Sequence, residues 1–122
     1  MATTTLDERT FTETVRTGLV MVDWWAPWCA PCRTFGPVFE RVANENPDVV
    51  FGKVNAEDHP GLASMFEIQA VPTLMIFRDG ILIYDEPGLI LEAALRTLVS
   101  RAKKLDMDRV RADLAAQPAS AS

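Results

Sequence analysis

The stretch Leu19-Val20-Met21-Val22-Asp23-Trp24-Trp25 limits the possible folds more than any other part of the chain. It is a near-continuous apolar run without polar alternation, which marks a strand covered on both faces. Such a strand needs a sheet packed between helices, and the segments around it read that way. From Ala30 to Asn46, Phe35, Val38, Phe39 and Val42 recur at helical spacing, interrupted only by Pro37. Val49 to Val54 is β-branched and aromatic, a second strand. Strand, helix and strand within about 36 residues make a right-handed crossover between parallel strands.

Further along, a short helix is predicted from about His59 to Phe66, after the acidic Glu57 and Asp58. Thr73 to Arg78 and Ile81 to Tyr84 flank Asp79-Gly80, a strong signal for an antiparallel hairpin. Leu91, Leu95, Leu98, Ala102 and Leu105 then step by three or four, a final amphipathic helix. Its phase fails at Arg109, while Met107, Val110 and Leu114 define a new stripe, so a break near Asp106 and a separate short helix to about Ala116 are expected. Before the first apolar run, a Thr-rich lead precedes a helix over Asp7 to Thr17, with Asp7 or Thr5 as N-cap and Gly18 as terminator. The class is α/β, a three-layer α/β/α sandwich on a mixed sheet: a parallel βαβ unit, an antiparallel hairpin and a C-terminal helix. Residues 1–105 form the expected domain, and 106–122 a short extra helix with a disordered tail from Pro118.

A chain of 122 residues, 48% hydrophobic and 24% charged, is neither disordered nor fibrous. Its net charge of −5 argues against nucleic acid or an anionic membrane as partner. Met1 to Arg16 is rich in Thr and acids, and the apolar run from Leu19 to Trp28 contains Asp23 and lacks a basic leader. Neither an export signal nor a spanning helix is expected, so the reading is cytoplasmic.

The chain's 2 cysteines, Cys29 and Cys32, lie too close together to close a stabilising loop. Cys29-Ala30-Pro31-Cys32 directly follows the first buried strand and opens the next helix. Free N–H groups and the positive end of a helix dipole stabilise a thiolate, so Cys29, exposed at the helix mouth, reads as the attacking nucleophile. Cys32, three residues on, reaches the same face and can resolve a mixed disulfide formed at Cys29. Pro31 suits a first turn, where its missing N–H is not needed. Metal binding and inert core packing are the competing uses; a structural zinc wants four ligands, and outside the pair only His59 is to hand, itself read as a solvated loop residue.

The segment Val22-Asp23-Trp24-Trp25-Ala26-Pro27-Trp28-Cys29-Ala30-Pro31-Cys32-Arg33, followed by Val71-Pro72-Thr73 and Asp79-Gly80, closely resembles the thioredoxin family. The likeness runs from about Leu6 to Arg101 and implies a thioredoxin-like fold. It also implies that Asp23 accepts the proton of Cys32, that Lys53 modulates Asp23, and that Pro72 forms a cis bond beside the cysteines, letting an extended substrate pair with Val71. From the residues alone, Asp23 is an acid inside an apolar run, where burial raises a carboxyl's pKa; the alternative is a solvated cap on a strand that ends early. Lys53 reads equally as a solvated strand-end charge, and Pro72 as a proline that merely starts a strand. Trp28 is a substrate platform or simple packing; Trp24 and Trp25 read as core. Ala30, Pro31 and Gly88 complete the expected substrate-binding set.

Two features depart from the family pattern. Ala30 stands where Gly is commonest, and Glu86-Pro87-Gly88-Leu89-Ile90-Leu91 places a proline and large aliphatics around Gly88. Pro87 to Ile90 should lie in a loop beside Pro72 and Trp28, with Leu89 and Ile90 either folding inward or forming a contact patch; the alternative is that Leu89 and Leu91 begin the core stripe of the last helix. The function implied is protein-disulfide reduction, contributing to redox homeostasis, by a monomer with no bound cofactor. Electrons come from NADPH through a flavoprotein, thioredoxin reductase, and go to oxidised protein substrates. The alternative is an adaptor module acting through Trp28, Pro72 and Pro87 to Ile90.

Overall fold

A computed structural model describes residues 2–117. Its elements are β1 (Thr3–Thr5), α1 (Glu8–Thr14), β2 (Leu19–Trp25), α2 (Ala30–Glu45), β3 (Val50–Asn55), α3 (Pro60–Met65), β4 (Thr73–Arg78), β5 (Ile81–Pro87), α4 (Glu92–Lys104) and α5 (Met107–Ala116). The sheet order is β1-β3-β2-β4-β5; β1, β3 and β2 run parallel, and β4 and β5 antiparallel. β2 is the central strand, as its apolar run requires.

Period-two alternation divides the core. Met21, Phe51, Leu74 and Ile76 pack with Phe35, Phe39 and Val42 of α2 and Leu95, Val99 and Ala102 of α4. Val20, Val22, Trp24, Met75 and Phe77 pack on the other face with Phe11 of α1 and Leu62 of α3. The three-layer mixed sandwich is therefore present. The same parity puts Asp23 on the face of Met21, the face covered by α2.

Asp7 is the N-cap of α1: its carboxylate accepts the Thr10 N–H at 2.9 Å, and the Thr10 hydroxyl accepts the Asp7 N–H at 2.8 Å. Thr5 belongs instead to β1, a strand hidden in what read as a lead, because three residues on a sheet edge carry too little pattern to be seen. α1 ends at Thr14, short of Gly18, whose N–H donates to Asp79 Oδ1 at 3.2 Å and which thereby ties β2 to the β4–β5 turn. In that turn Asp79 and Gly80 have φ of 52° and 83°, the pair of left-handed residues a tight hairpin needs.

β5 runs past Tyr84 to Pro87, and Pro87 pairs with Thr73, so Pro87 lies in a strand and not in the loop. An edge strand tolerates the missing N–H. The stripe of α4 is Leu95, Val99 and Ala102, with Leu98 half-buried against the same core, as expected for Leu95, Leu98 and Ala102; Leu91 and Leu105 flank the helix as exposed caps, because the chain is leaving the sheet at both positions. The break at Asp106 is present, with Asp106 accepting the Arg109 N–H at 3.2 Å. Met107 is buried, Arg111 lies 3.8 Å from Asp79, and Leu114 is exposed. The tail expected from Pro118 lies outside the described residues. Among those residues no helix is long and apolar enough to cross a membrane.

Candidate functional site

β2 ends at Trp25 and the chain turns through Ala26-Pro27-Trp28 into α2. Cys29 is the N-cap of α2, its N–H donating to the Ala26 carbonyl at 3.2 Å. Its Sγ accepts the Cys32 N–H at 3.2 Å, satisfying one of the helix's free donors. Pro31 lies in the first turn, as expected. Cys29 and Cys32 are joined as a disulfide with Cα atoms 5.2 Å apart. Cys29, expected to be exposed, is only 3% accessible, and Cys32 5%. The neighbouring Ala26 and Val71 pack over the pair and shield it, so static exposure does not distinguish the two sulfurs.

The Val71-Pro72 bond is cis. Cys29 Sγ lies 3.5 Å from the Val71 carbonyl oxygen; in the oxidised pair, without an S–H, this is a contact and not a hydrogen bond. The Thr73 hydroxyl donates to the Ala70 carbonyl at 2.6 Å, and the Gly88 N–H donates to the Pro72 carbonyl at 2.8 Å. Gly88 has φ of 105°, which favours glycine. The proline turn is thus fixed from both sides and brought against the disulfide. Trp28 is 67% exposed, so it is not a packing residue. Trp24 is buried in the core and Trp25 half-buried.

Asp23 is fully buried, and among the described residues neither carboxylate oxygen has a hydrogen-bond partner. Loss of hydration disfavours its anion and pushes its pKa up to about 7, with the positive charge of Lys53 opposing the rise. Lys53 is the register partner of Asp23 across β2 and β3, and its Nζ stands 5.3 Å from the Trp25 ring centre, a cation–π contact. Lys53, Cys32, Arg33, Gly36 and Glu40 line one depression, so the elements carrying Asp23's neighbour and the second cysteine open to solvent together.

Two supports were not evident in the sequence. Arg33 Nη1 donates to the Pro27 carbonyl at 2.8 Å, bracing the turn that carries Trp28. Thr73, beside Pro72, braces Ala70; its position after the proline was visible but its acceptor was not. The aliphatic patch is only half present: Leu89 is 52% exposed, while Ile90 packs against the core of α2 and α4. Leu89 and Leu91 therefore do not begin the core of α4. His59 is not simply solvated, since its Nδ1 lies 2.7 Å from Glu8 Oε1, away from the cysteines.

The Thioredoxin family model matches residues 2–101. The chain is 47% identical over 121 residues to a protein assigned as thioredoxin 2 in Streptomyces coelicolor, covering 98% of this chain and 90% of that one. That alignment extends well past residue 101, so it includes α5. A thioredoxin of Chlamydia pneumoniae is 34% identical over 96 residues, covering 79% of this chain and 94% of its own. A solved mutant thioredoxin from Halobacterium salinarum superposes with a TM-score of 0.78 at 30% identity, covering 84% of this chain and 92% of that one. With a cysteine pair at disulfide distance on the first turn of α2, the chain belongs to the thioredoxin family and is a thioredoxin-type dithiol–disulfide oxidoreductase.

Proposed function

We propose that the protein works in the cytoplasm as a monomeric protein-disulfide reductase, with Cys29 as nucleophile and Cys32 as resolving thiol. In the reduced protein the Cys29 thiolate attacks a target disulfide, forms a mixed disulfide and releases one target thiolate, which takes a proton from solvent. Asp23 accepts the proton of Cys32. The Cys32 thiolate then attacks Cys29 Sγ, forming the Cys29–Cys32 disulfide and releasing the second target sulfur as a thiolate, which is protonated from solvent, while Asp23 returns its proton to solvent. The two electrons lost by the pair are those gained by the target, and NADPH restores them through a flavoprotein thioredoxin reductase. The redox group is the protein's own cysteine pair.

The observation that carries this reading is the position of Cys29 Sγ, which caps α2, accepts the Cys32 N–H and touches the Val71 carbonyl. An approaching sulfur meets helix N–H groups that stabilise its thiolate partner. Trp28, Ala30, Pro31, Val71, Pro72 and Gly88 line the approach in this reading, with Lys53 holding the pKa of Asp23 near neutrality. Residues 1–105 are the redox unit and 106–122 an appended segment.

Insulin reduction with a thioredoxin reductase and NADPH tests it. Turnover in the wild type, none in Cys29→Ser, and a trapped mixed disulfide in Cys32→Ser are expected. Turnover that survives Cys29→Ser overturns the nucleophile. The exposed Leu89 favours a second reading, an adaptor whose partner binding persists when both cysteines are replaced by Ser; an inactive wild type with such binding would establish it.

A further inference from the structure

The disulfide lies between two depressions of opposite charge. One, of about 650 Å³, is lined by Trp28, Glu57, Ala63, Glu67 and Val71 among others, and includes no Lys, Arg or His. The other carries Arg33, Lys53 and Glu40 beside Cys32. Glu40 is committed elsewhere: its carboxylate accepts the Ala2 N–H at 2.8 Å and the Thr3 hydroxyl at 2.6 Å. Two cations against the one Glu40 carboxylate leave the Cys32 side with a net positive charge, while the Trp28 side carries two anions.

Glu57 and Glu67 are both exposed, and among the described residues neither is within ion-pair distance of a cation. Trp28 offers a flat apolar platform on the same groove, and Val71 brings its carbonyl to the reactive sulfur. A polypeptide segment reaching Cys29 along Trp28 and Val71 runs over the groove that these carboxylates line.

We propose that this groove selects oxidised targets carrying a basic residue next to the attacked cysteine, with Glu57 and Glu67 as the specificity-determining residues. The inference rests on the reductase reading and names the substrate class of the same site. Charges on the rim of a contact act mainly on the encounter rate and are weakened by salt. Two exposed pairs give a Lys-over-Glu preference of about tenfold.

The test uses three disulfide-closed peptides that differ only at the residue beside one cysteine, which is Lys, Gln or Glu. The full chain, reduced beforehand and freed of reductant, is mixed with each at low salt, and second-order rate constants are read from tryptophan fluorescence. Lys is expected to react faster than Gln, and Gln faster than Glu, with the ratio collapsing in about 1 M salt. Glu57→Gln with Glu67→Gln should bring the Lys-to-Glu ratio close to one, and each single variant should lower it in part. Asp108→Asn with Asp113→Asn, an equal loss of charge on α5, should keep it. Equal rates for the three peptides, a preference that survives the double Gln variant, or an equal loss in the α5 variant overturns the selectivity. Failure to reduce even the Gln peptide overturns the reductase reading and the selectivity with it.

Discussion

Replacing Asp23 with Asn should stabilise the oxidised protein at neutral and alkaline pH and leave it unchanged in acid. The native carboxyl has a pKa of about 7 against an ordinary 3.8, and burial is the main cause. Below pH 3.8 the group is neutral in the folded and the unfolded chain, and its ionisation costs nothing. From there to about pH 7 the unfolded carboxyl has lost its proton while the native one keeps it, so stability falls as pH rises. At about 1.4 kcal/mol per pH unit the loss reaches about 4 kcal/mol and then levels off. Asn has no proton to lose. Its buried amide is as short of partners as the neutral carboxyl, so the two proteins should match in acid and diverge by about 4 kcal/mol at alkaline pH. Urea unfolding of both oxidised proteins between about pH 4 and about pH 8.5, followed by fluorescence, reads the difference directly. Stability curves that stay parallel across that range would refute the buried-carboxyl account, as would a variant less stable throughout.

In the reduced protein, substoichiometric iodoacetamide should alkylate Cys29 before Cys32, because Cys29 caps the helix; peptide mapping showing Cys32 labelled first would reverse their roles. Ile90→Ser should cost about 1 kcal/mol and Leu89→Ser almost nothing in urea unfolding, since only Ile90 packs against the core. Gly52→Val, favourable by strand propensity, should instead destabilise by about 2 kcal/mol, since a Cβ there would collide with buried Leu6; an unchanged urea midpoint would contradict this. Truncation after Leu105 exposes the pocket of Met107 and should lower stability by about 2 kcal/mol without loss of insulin reduction; lost activity would contradict the division at 105.

The central layer was legible because its signals are local. A seven-residue apolar run free of alternation, too short for a buried helix, fits a strand covered on both faces, Asp79-Gly80 between two apolar runs marks a tight turn, and a cysteine pair between a buried strand and a helix lies at that helix's first turn. The bounds of β2 and β4 came out as read. β1 and the extension of β5 were not legible, because a three-residue edge strand and a strand ending in proline are held by neighbours the sequence does not place beside them.

The site divides along the same line. Which residues could do chemistry was evident from their types: two thiols, an acid in an apolar run, a proline before a strand. Their relations were decided in three dimensions. Alternation along β2 put Asp23 on the face of α2, and the register of β2 with β3 set Lys53 beside it. The return of β5 along β4 carried Gly88 to Pro72. Exposure was likewise a tertiary outcome: Ala26 and Val71 closed over Cys29, Ile90 turned inward, Leu89 stayed out, and Glu57 and Glu67 came to line one groove. Local pattern determines what a residue prefers, but burial and electrostatic environment are sums over neighbours far away in the chain, and only the packed sheet brings those neighbours together.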